Sequence, residues 1–228
     1  MPQEARGFFI TFEGPEGSGK SSQARRLVRA LRRAGCRVVM VNDPGSTVLG
    51  RQLRTVLLHE SHNALSSLAE ALLFIAGRVA LVEEQIRPAL RKRRVVVCDR
   101  FHDSTMAYQG FGGRLDIRWL DQIGRRAIGG LVPDLTVLLD VPTAVGFARL
   151  RHRKDRMERK ARMFHERVRR GFHRIALKEP RRIVVIDATQ ATDVVHRQIL
   201  ARVVKRLART RPKKGGRFYF SSEDVQEK

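Results

Sequence analysis

The chain has 228 residues, 42% of them hydrophobic, enough for one large α/β domain or two small ones with a sizeable core. Lys and Arg outnumber Asp and Glu 46 to 23, and the formal net charge of +23 favours nucleotides, nucleic acid or an acidic membrane surface as partners, although an arginine-rich codon bias would produce the same excess. The two isolated cysteines, Cys36 and Cys98, exclude a disulfide framework or a cysteine metal cluster; no apolar run is long enough for a signal peptide or a membrane span, so a cytoplasmic protein without membrane association is expected.

Gly7 to Glu13 reads as a buried strand, and the spacing predicts a helix from Lys20 to Ala34 with Gly35 as its C-terminal cap. Between them, "GPEGSGKS", Gly14 to Ser21, fits G-x-x-x-x-G-K-[ST] in the strand–loop–helix setting that a phosphate-binding loop requires. The glycines let the backbone curl until successive N–H groups converge on phosphate oxygens, and the helix N-terminus adds partial positive charge. Lys20 supplies a point charge for the β- and γ-phosphates of ATP, and Ser21 a hydroxyl for Mg²⁺. The loop does not name the reaction, because ATPases, GTPases, helicases and small-molecule kinases share it.

Cys36 to Val41 reads as a second strand. A helical region covers roughly Val48 to Lys92, with a break near His62–Asn63 and a bend or late helix start at Pro88. Arg94 to Asp99, "RVVVCD", is a third buried strand. In an open parallel sheet its carboxyl end borders the ligand crevice, so Asp99 is expected beside the phosphate loop, holding Mg²⁺ through water, and Arg100 is a planar fork for a second phosphate. A capping Asp paired with a neighbouring Arg is the structural alternative. Helices follow at Asp103 to Tyr108 and Ile117 to Ile128, a fourth strand at Asp134 to Val141, helices at Pro142 to Arg153 and Ala161 to Leu177, a fifth strand at Arg182 to Asp187, and a last helix at Ala191 to Arg209. Between Arg149 and Arg182 there are 15 Lys and Arg against 4 Asp and Glu. Residues 210–228 have a disordered composition. Five near-continuously apolar strands separated by helices predict one α/β domain over residues 1–209, a five-stranded parallel sheet with helices on both faces in three layers.

The segments "FEGPEGSGKSSQ", "LLFIAGR", "DRFHDSTMAYQG", "PDLTVLLDV" and "DRMERKARMFHERVRRGF" occur in the order and spacing of bacterial thymidylate kinases, which the chain resembles from about Phe8 to Val204. The resemblance implies a P-loop nucleoside monophosphate kinase architecture with a basic lid at about 149–162, and transfer of the ATP γ-phosphoryl group to the 5′-phosphate of dTMP. It implies that Gly14, Pro15, Glu16, Gly17, Ser18, Gly19, Lys20, Ser21 and Ser22 form the ATP site, with Mg²⁺ at Ser21 and Asp99. Glu16 matches the acid that reaches the acceptor's 3′-hydroxyl, Phe74 the aromatic that stacks on thymine, and Arg78 the arginine near the base carbonyl and phosphate. Arg100 would clamp the acceptor phosphate. Ser104, Thr105 and Gln109 would line the base edge, and Tyr108 would crowd C2′ and favour deoxyribose. The loop carries no arginine, which in the family goes with catalytic arginine from the lid, here Arg153 ahead of Arg156 and Arg151. A homodimer is implied, with the apolar face in Leu65 to Leu81 as one candidate contact.

Each of these residues also has a structural reading: Phe74 as core, Ser104 and Thr105 as helix N-terminal residues, the lid arginines as a solvated face. The chain departs from the family at Asn42-Asp43, where Arg-Glu is usual before Pro-Gly, at Gly77, at Arg51 where Glu is common, and in the basic "RKARMF" after Glu158. Three alternatives stay open: another acceptor such as dUMP, a degenerate kinase retained for binding, and a nucleic-acid-stimulated ATPase. The last finds no DNA- or RNA-module signature, so no specific nucleic-acid partner is expected.

Overall fold

In the computed structural model, which describes residues 6–58, 65–150 and 155–210, the strands are β1 (Phe8–Glu13), β2 (Val38–Asn42), β3 (Val95–Asp99), β4 (Leu135–Asp140) and β5 (Ile183–Asp187). All pair in parallel, in the order β2-β3-β1-β4-β5. The expected α/β sheet is present, with β1 at its centre. The second strand starts later than the sequence suggests because Cys36 closes the preceding helix α1 (Lys20–Arg33): its N–H donates to Leu31 O while Gly35, at φ 82°, donates to Arg32 O. This is the Schellman arrangement, and it spends Cys36 on helix termination.

Alternation along β1 explains why helices cover both faces. Phe8, Ile10 and Phe12 pack against Ala24, Leu27, Val28 and Leu31 of α1 and against Val195, Ile199 and Val203 of the last helix, α9 (Thr192–Thr210). Phe9, with Val96 and Cys98 of β3, faces Val82, Ile86, Ala89 and Leu90 on the opposite side. Those residues belong to one long helical run in which α3 (Ser67–Leu81) passes through a wider π turn, Val82–Ile86, into α4 (Arg87–Arg91). Pro88 follows closely on the π turn, as the second residue of α4. The region before it holds α2 (Val48–Leu58); the expected break at His62–Asn63 lies outside the described residues.

Beyond β3 the chain forms α5 (His102–Thr105), a π segment Met106–Gly112, and α6 (Ile117–Ala127). After β4 come α7 (Thr143–Ala148), shorter than expected, and α8 (Arg162–Lys178). Helix α8 lies on the π segment so closely that a Cβ on Gly112 would meet Phe164 at 2.7 Å and one on Gly171 would meet Phe111 at 2.7 Å. Residues 211–228, most of the expected disordered segment, lie outside the described residues. No described helix is long and apolar enough to cross a membrane.

A polar chain runs through the core below the strand ends. Arg182 donates to both oxygens of Asp103, at 2.7 and 3.0 Å, to Thr136 Oγ1 at 2.7 Å and to Glu179 at 2.7 Å. Thr136 and Thr11 share a hydroxyl hydrogen bond of 2.7 Å. Arg182→Leu would leave the Asp103 carboxylate buried without its cation, at a cost of about 3–5 kcal/mol. Urea unfolding should read a loss of that size; a loss below about 1 kcal/mol would mean that the pair is not holding this end of the sheet.

Candidate active site

Register places the ends of β1, β2 and β3 level with one another. Phe12 lies opposite Asp99, and Asp99 opposite Asn42. The backbone continues this alignment past the strands: Arg100 N–H donates to Phe12 O at 2.9 Å and Asp43 N–H to Asp99 O at 3.0 Å. Three loops therefore leave the sheet side by side and enclose a crevice of about 780 Å³. Lys20, Ser21, Asp99 and Arg100 all line it, as do Phe74 and Arg78.

The loop after β1 depends on two glycines. Gly14 has φ 142°, and a Cβ there would lie 2.3 Å from Leu139 O; Gly17 has φ 64°, and a Cβ there would lie 1.9 Å from Gly146 O on α7. The loop thus packs backbone to backbone against the helix before the lid segment. Helix α1 begins at Lys20 with no side-chain cap and no acid in its first turn, which leaves its N–H groups for an anion. Lys20 Nζ donates to Pro15 O at 2.7 Å and to Ser18 Oγ at 3.2 Å, and Ser18 Oγ donates to Pro15 O at 2.8 Å. Burial first, then the Arg100 charge, lowers the Lys20 ammonium to about 7, against the pull of Asp99 and Glu16. Gly19 and Ser22 are exposed at the loop's outer edge. Ser21 Oγ donates to Asp99 Oδ2, and Arg100 holds the left-handed φ of 68°. A non-glycine residue in that region costs of order 1–3 kcal/mol and persists only where its surroundings fix it.

Those surroundings are specific. Arg100 Nη1 donates to Ser104 Oγ at 3.0 Å and to Gly14 O at 3.3 Å, Nη2 donates to Tyr108 Oη at 3.2 Å, and the guanidinium lies 4.9 Å from the Tyr108 ring centre. Tyr108 Oη donates to Glu16 Oε1 at 2.6 Å, and His165 Nδ1 of α8 lies 3.2 Å from Glu16 Oε2. Burial pushes the Glu16 carboxyl up, but the His165 hydrogen bond, the Arg100 charge and the Tyr108 hydroxyl outweigh it and hold the group at about 2. Glu16 is therefore a carboxylate at the crevice wall, able only to accept hydrogen bonds.

On the far wall Phe74 and Arg78 sit one turn apart on α3. Arg78 is buried: Nε donates to Asp43 Oδ2 at 2.5 Å and Nη2 to Thr105 Oγ1 at 2.9 Å, while Nη1 has no partner among the described residues. Ser104 is occupied internally, donating to Glu13 Oε2 at 2.5 Å, and Gln109 Nε2 donates to Glu70 Oε2 at 3.0 Å. The basic segment between α7 and α8, expected as a lid, is only partly described. Arg151 and Arg153 lie outside the described residues. Arg156, expected with them at the phosphates, is instead turned onto α2 and α3, donating to Leu57 O at 2.9 Å and Glu70 Oε1 at 2.8 Å. Lys160 joins it at Glu70, at 2.7 and 2.9 Å. The reason is electrostatic: Glu70 is fully buried and needs compensating charge.

For a metal, the Ser21 hydroxyl and Asp99 carboxylate form an all-oxygen pair of the kind Mg²⁺ shares with phosphate oxygens and water. Among the described residues no cluster of three or more His, Cys, Asp or Glu would hold a cation unaided. Sequence reasoning missed Glu13, Glu70 and His165. Glu13 and Glu70 had a readable signal, a lone acid in an otherwise apolar segment; His165, within a strongly basic helix, had none.

Comparison with known proteins is consistent along the whole domain. A family model described as thymidylate kinase matches residues 12–199. The chain is 42% identical over 211 residues to a thymidylate kinase from Geobacter sulfurreducens, covering 89% of this chain and 99% of that protein. It is 45% identical over 204 residues to one from Deinococcus radiodurans, covering 89% and 98%. A crystal structure of thymidylate kinase from Ehrlichia chaffeensis superposes with a TM-score of 0.71 at 36% identity, over 87% of this chain and 98% of that one.

The Glu70 anchor is testable by proteolysis. Glu70→Ala removes the shared acceptor of Arg156 and Lys160, and trypsin cleavage after Arg156, Arg159 or Lys160 should accelerate about tenfold, since cleavage tracks the population of the opened segment. An unchanged rate would show that other contacts hold this stretch.

Proposed function

The chain belongs to the thymidylate kinase family, and from that premise we propose how its crevice moves the γ-phosphoryl group of ATP onto the 5′-phosphate of dTMP, giving dTDP and ADP. The observation that carries the proposal is the shared crevice. The loop lysine and the Arg100 fork line the same cavity, and Arg100 Nη1 reaches the first carbonyl of the loop. Phosphoryl transfer demands mainly this: two phosphate groups held in line, with positive charge where negative charge spreads.

In this reading residues 14–22 hold the ATP phosphates through backbone N–H groups, with the exposed hydroxyls of Ser21 and Ser22 at the helix start. Lys20 exchanges Pro15 O and Ser18 Oγ for phosphate oxygens. Arg100 takes the acceptor phosphate, its plane fixed from below by the Tyr108 ring. Mg²⁺, when bound, would sit at Ser21 and Asp99, directly or through water, and neutralise charge on the donor phosphates. Phe74 offers a face for thymine, and the unpartnered Nη1 of Arg78 fits a base carbonyl. Ser104 and Thr105 act at one remove, by holding Arg100 and Arg78, while Gln109 borders the base and is itself oriented by Glu70. Tyr108 narrows the space at the sugar, and Glu16 accepts from a sugar hydroxyl.

Asn42 removes a cation that family members have, but Arg51 and Arg54 of α2 line the same crevice and keep it positive. The arginine that meets the transition state is assigned to Arg153 or Arg151, with Arg156 anchoring the segment instead. The proposal includes a homodimer, for which Leu68 and Leu72, 44% and 43% exposed on α3, offer an apolar face. It also includes a cytoplasmic location, in keeping with two buried cysteines that form no disulfide with each other.

A coupled ADP-release assay with ATP, Mg²⁺ and a panel of monophosphates tests this directly. Turnover should be fastest with dTMP, ahead of dUMP, and no turnover with any acceptor would sink the reading. Lys20→Ala should lower kcat by about a hundred- to a thousandfold while the circular dichroism spectrum is retained. The Lys20 ammonium also gives ATP binding a pH dependence. Below pH 7 it is charged; as pH rises through its free-state value of about 7, binding must recover a proton, and ATP affinity should fall by up to about tenfold per pH unit toward pH 9. Calorimetry at pH 8 in buffers of different ionisation enthalpy should show that proton uptake in the wild type and not in Lys20→Ala.

A further inference from the structure

We propose that His165 is a positioning residue for the acceptor site: it fixes the Glu16 carboxylate so that the remaining lone pairs meet a hydroxyl of the acceptor sugar, which makes a side chain of α8 a determinant of acceptor selectivity. This rests on the reading of Glu16 as the sugar contact.

The geometry is that of a carboxylate held from two sides. Tyr108 Oη occupies Oε1 at 2.6 Å and His165 Nδ1 occupies Oε2 at 3.2 Å. One donor would leave the carboxylate free to rotate; two donors on different oxygens define its plane and leave one accepting position on each oxygen. Because a carboxylate can only accept, the shared proton sits on His165 Nδ1, which fixes the tautomer.

The ring itself cannot swing. Phe147 of α7 meets it edge to face at 4.7 Å between centres, and Phe164 at 5.2 Å. His165 is 1% exposed, and its Nε2 is buried without a partner among the described residues. An orphaned buried polar atom is destabilising, and a phenyl ring in the same aromatic slot would avoid that cost. Only the Nδ1 bond to Glu16 distinguishes histidine from such a ring here. Its position is also particular: Phe147 at the end of α7 packs on the His165 ring of α8, and that ring reaches the loop acid.

The test compares kcat/KM for dTMP with that for its 3′-deoxy analogue, in the wild type, His165→Phe and His165→Asn. The wild type should favour dTMP. His165→Phe should lower that ratio about tenfold, the scale of one hydrogen bond to a charged group, and His165→Asn, whose amide N–H takes the place of Nδ1–H, should restore most of it. A general loss of structure would lower both acceptors together and leave the ratio within about twofold of wild type; that result overturns the proposal, as does a wild type indifferent to the hydroxyl. Calorimetric Kd values for the same two ligands without ATP give the same ratio independently of turnover. A wild type that binds with this selectivity yet transfers no phosphoryl group would contradict the kinase reading and leave His165 in its assigned role.

Discussion

One buried carboxylate joins the two halves of the site. Glu13 ends β1 with no exposure, and it accepts Phe101 N–H at 2.8 Å and the Ser104 hydroxyl at 2.5 Å. The strand that feeds the phosphate loop is thereby tied to the turn that carries Arg100. Burial, and then the neighbouring Asp103, push the Glu13 carboxyl up, against the Ser104 hydrogen bond, the Arg100 charge and the Phe101 N–H. Two further constraints depend on this tie. Arg100 keeps its left-handed backbone because the next residue is clamped, and Ser104 is oriented to receive the Arg100 fork. A looser connection would leave Lys20 and Arg100 present and misaligned, and phosphoryl transfer is sensitive to small displacements.

The two groups are electrostatically unlike. Burial works against the Arg100 guanidinium, but Tyr108, Glu16 and Asp99 more than offset it, so its charge is permanent. Lys20, a residue whose burial is not offset in the same way, is lowered to about 7. A basic pocket built only of permanent cations would repel itself; one adjustable lysine beside a fixed arginine relieves part of that repulsion. Glu16 completes the balance as a fixed anion at the crevice wall, held by donors from the π segment and from α8.

Much of this was legible in the sequence where the determinants are local. Five apolar runs rich in β-branched residues became five parallel strands, and the glycine spacing before Lys20 gave the loop its place and its close approach to α7. What the sequence concealed are pairings across long separations. Glu16 and His165 are 149 positions apart, Glu70 and Arg156 are 86 apart, and nothing local marks either pair. Arg156 shows the limit most clearly. A run of arginines reads as one cationic segment, but the partner of each depends on where a buried acid lies, and Arg156 pairs with Glu70. The widening of the helix at Met106–Gly112 was equally invisible, since a π turn has no composition of its own, yet it aims Tyr108 at Glu16 and Arg100.

The proposed transfer requires donor and acceptor groups in one continuous crevice. A ligand that joins adenosine and thymidine through a polyphosphate bridge between their 5′ carbons measures this directly. Such a molecule should compete with both ATP and dTMP, bind at least about a hundredfold more tightly than either because the second contact becomes intramolecular, and lose that gain in Lys20→Ala and in Arg100→Ala alike. Competition with one nucleotide while the other binds with undiminished affinity would show two separate sites and contradict the account.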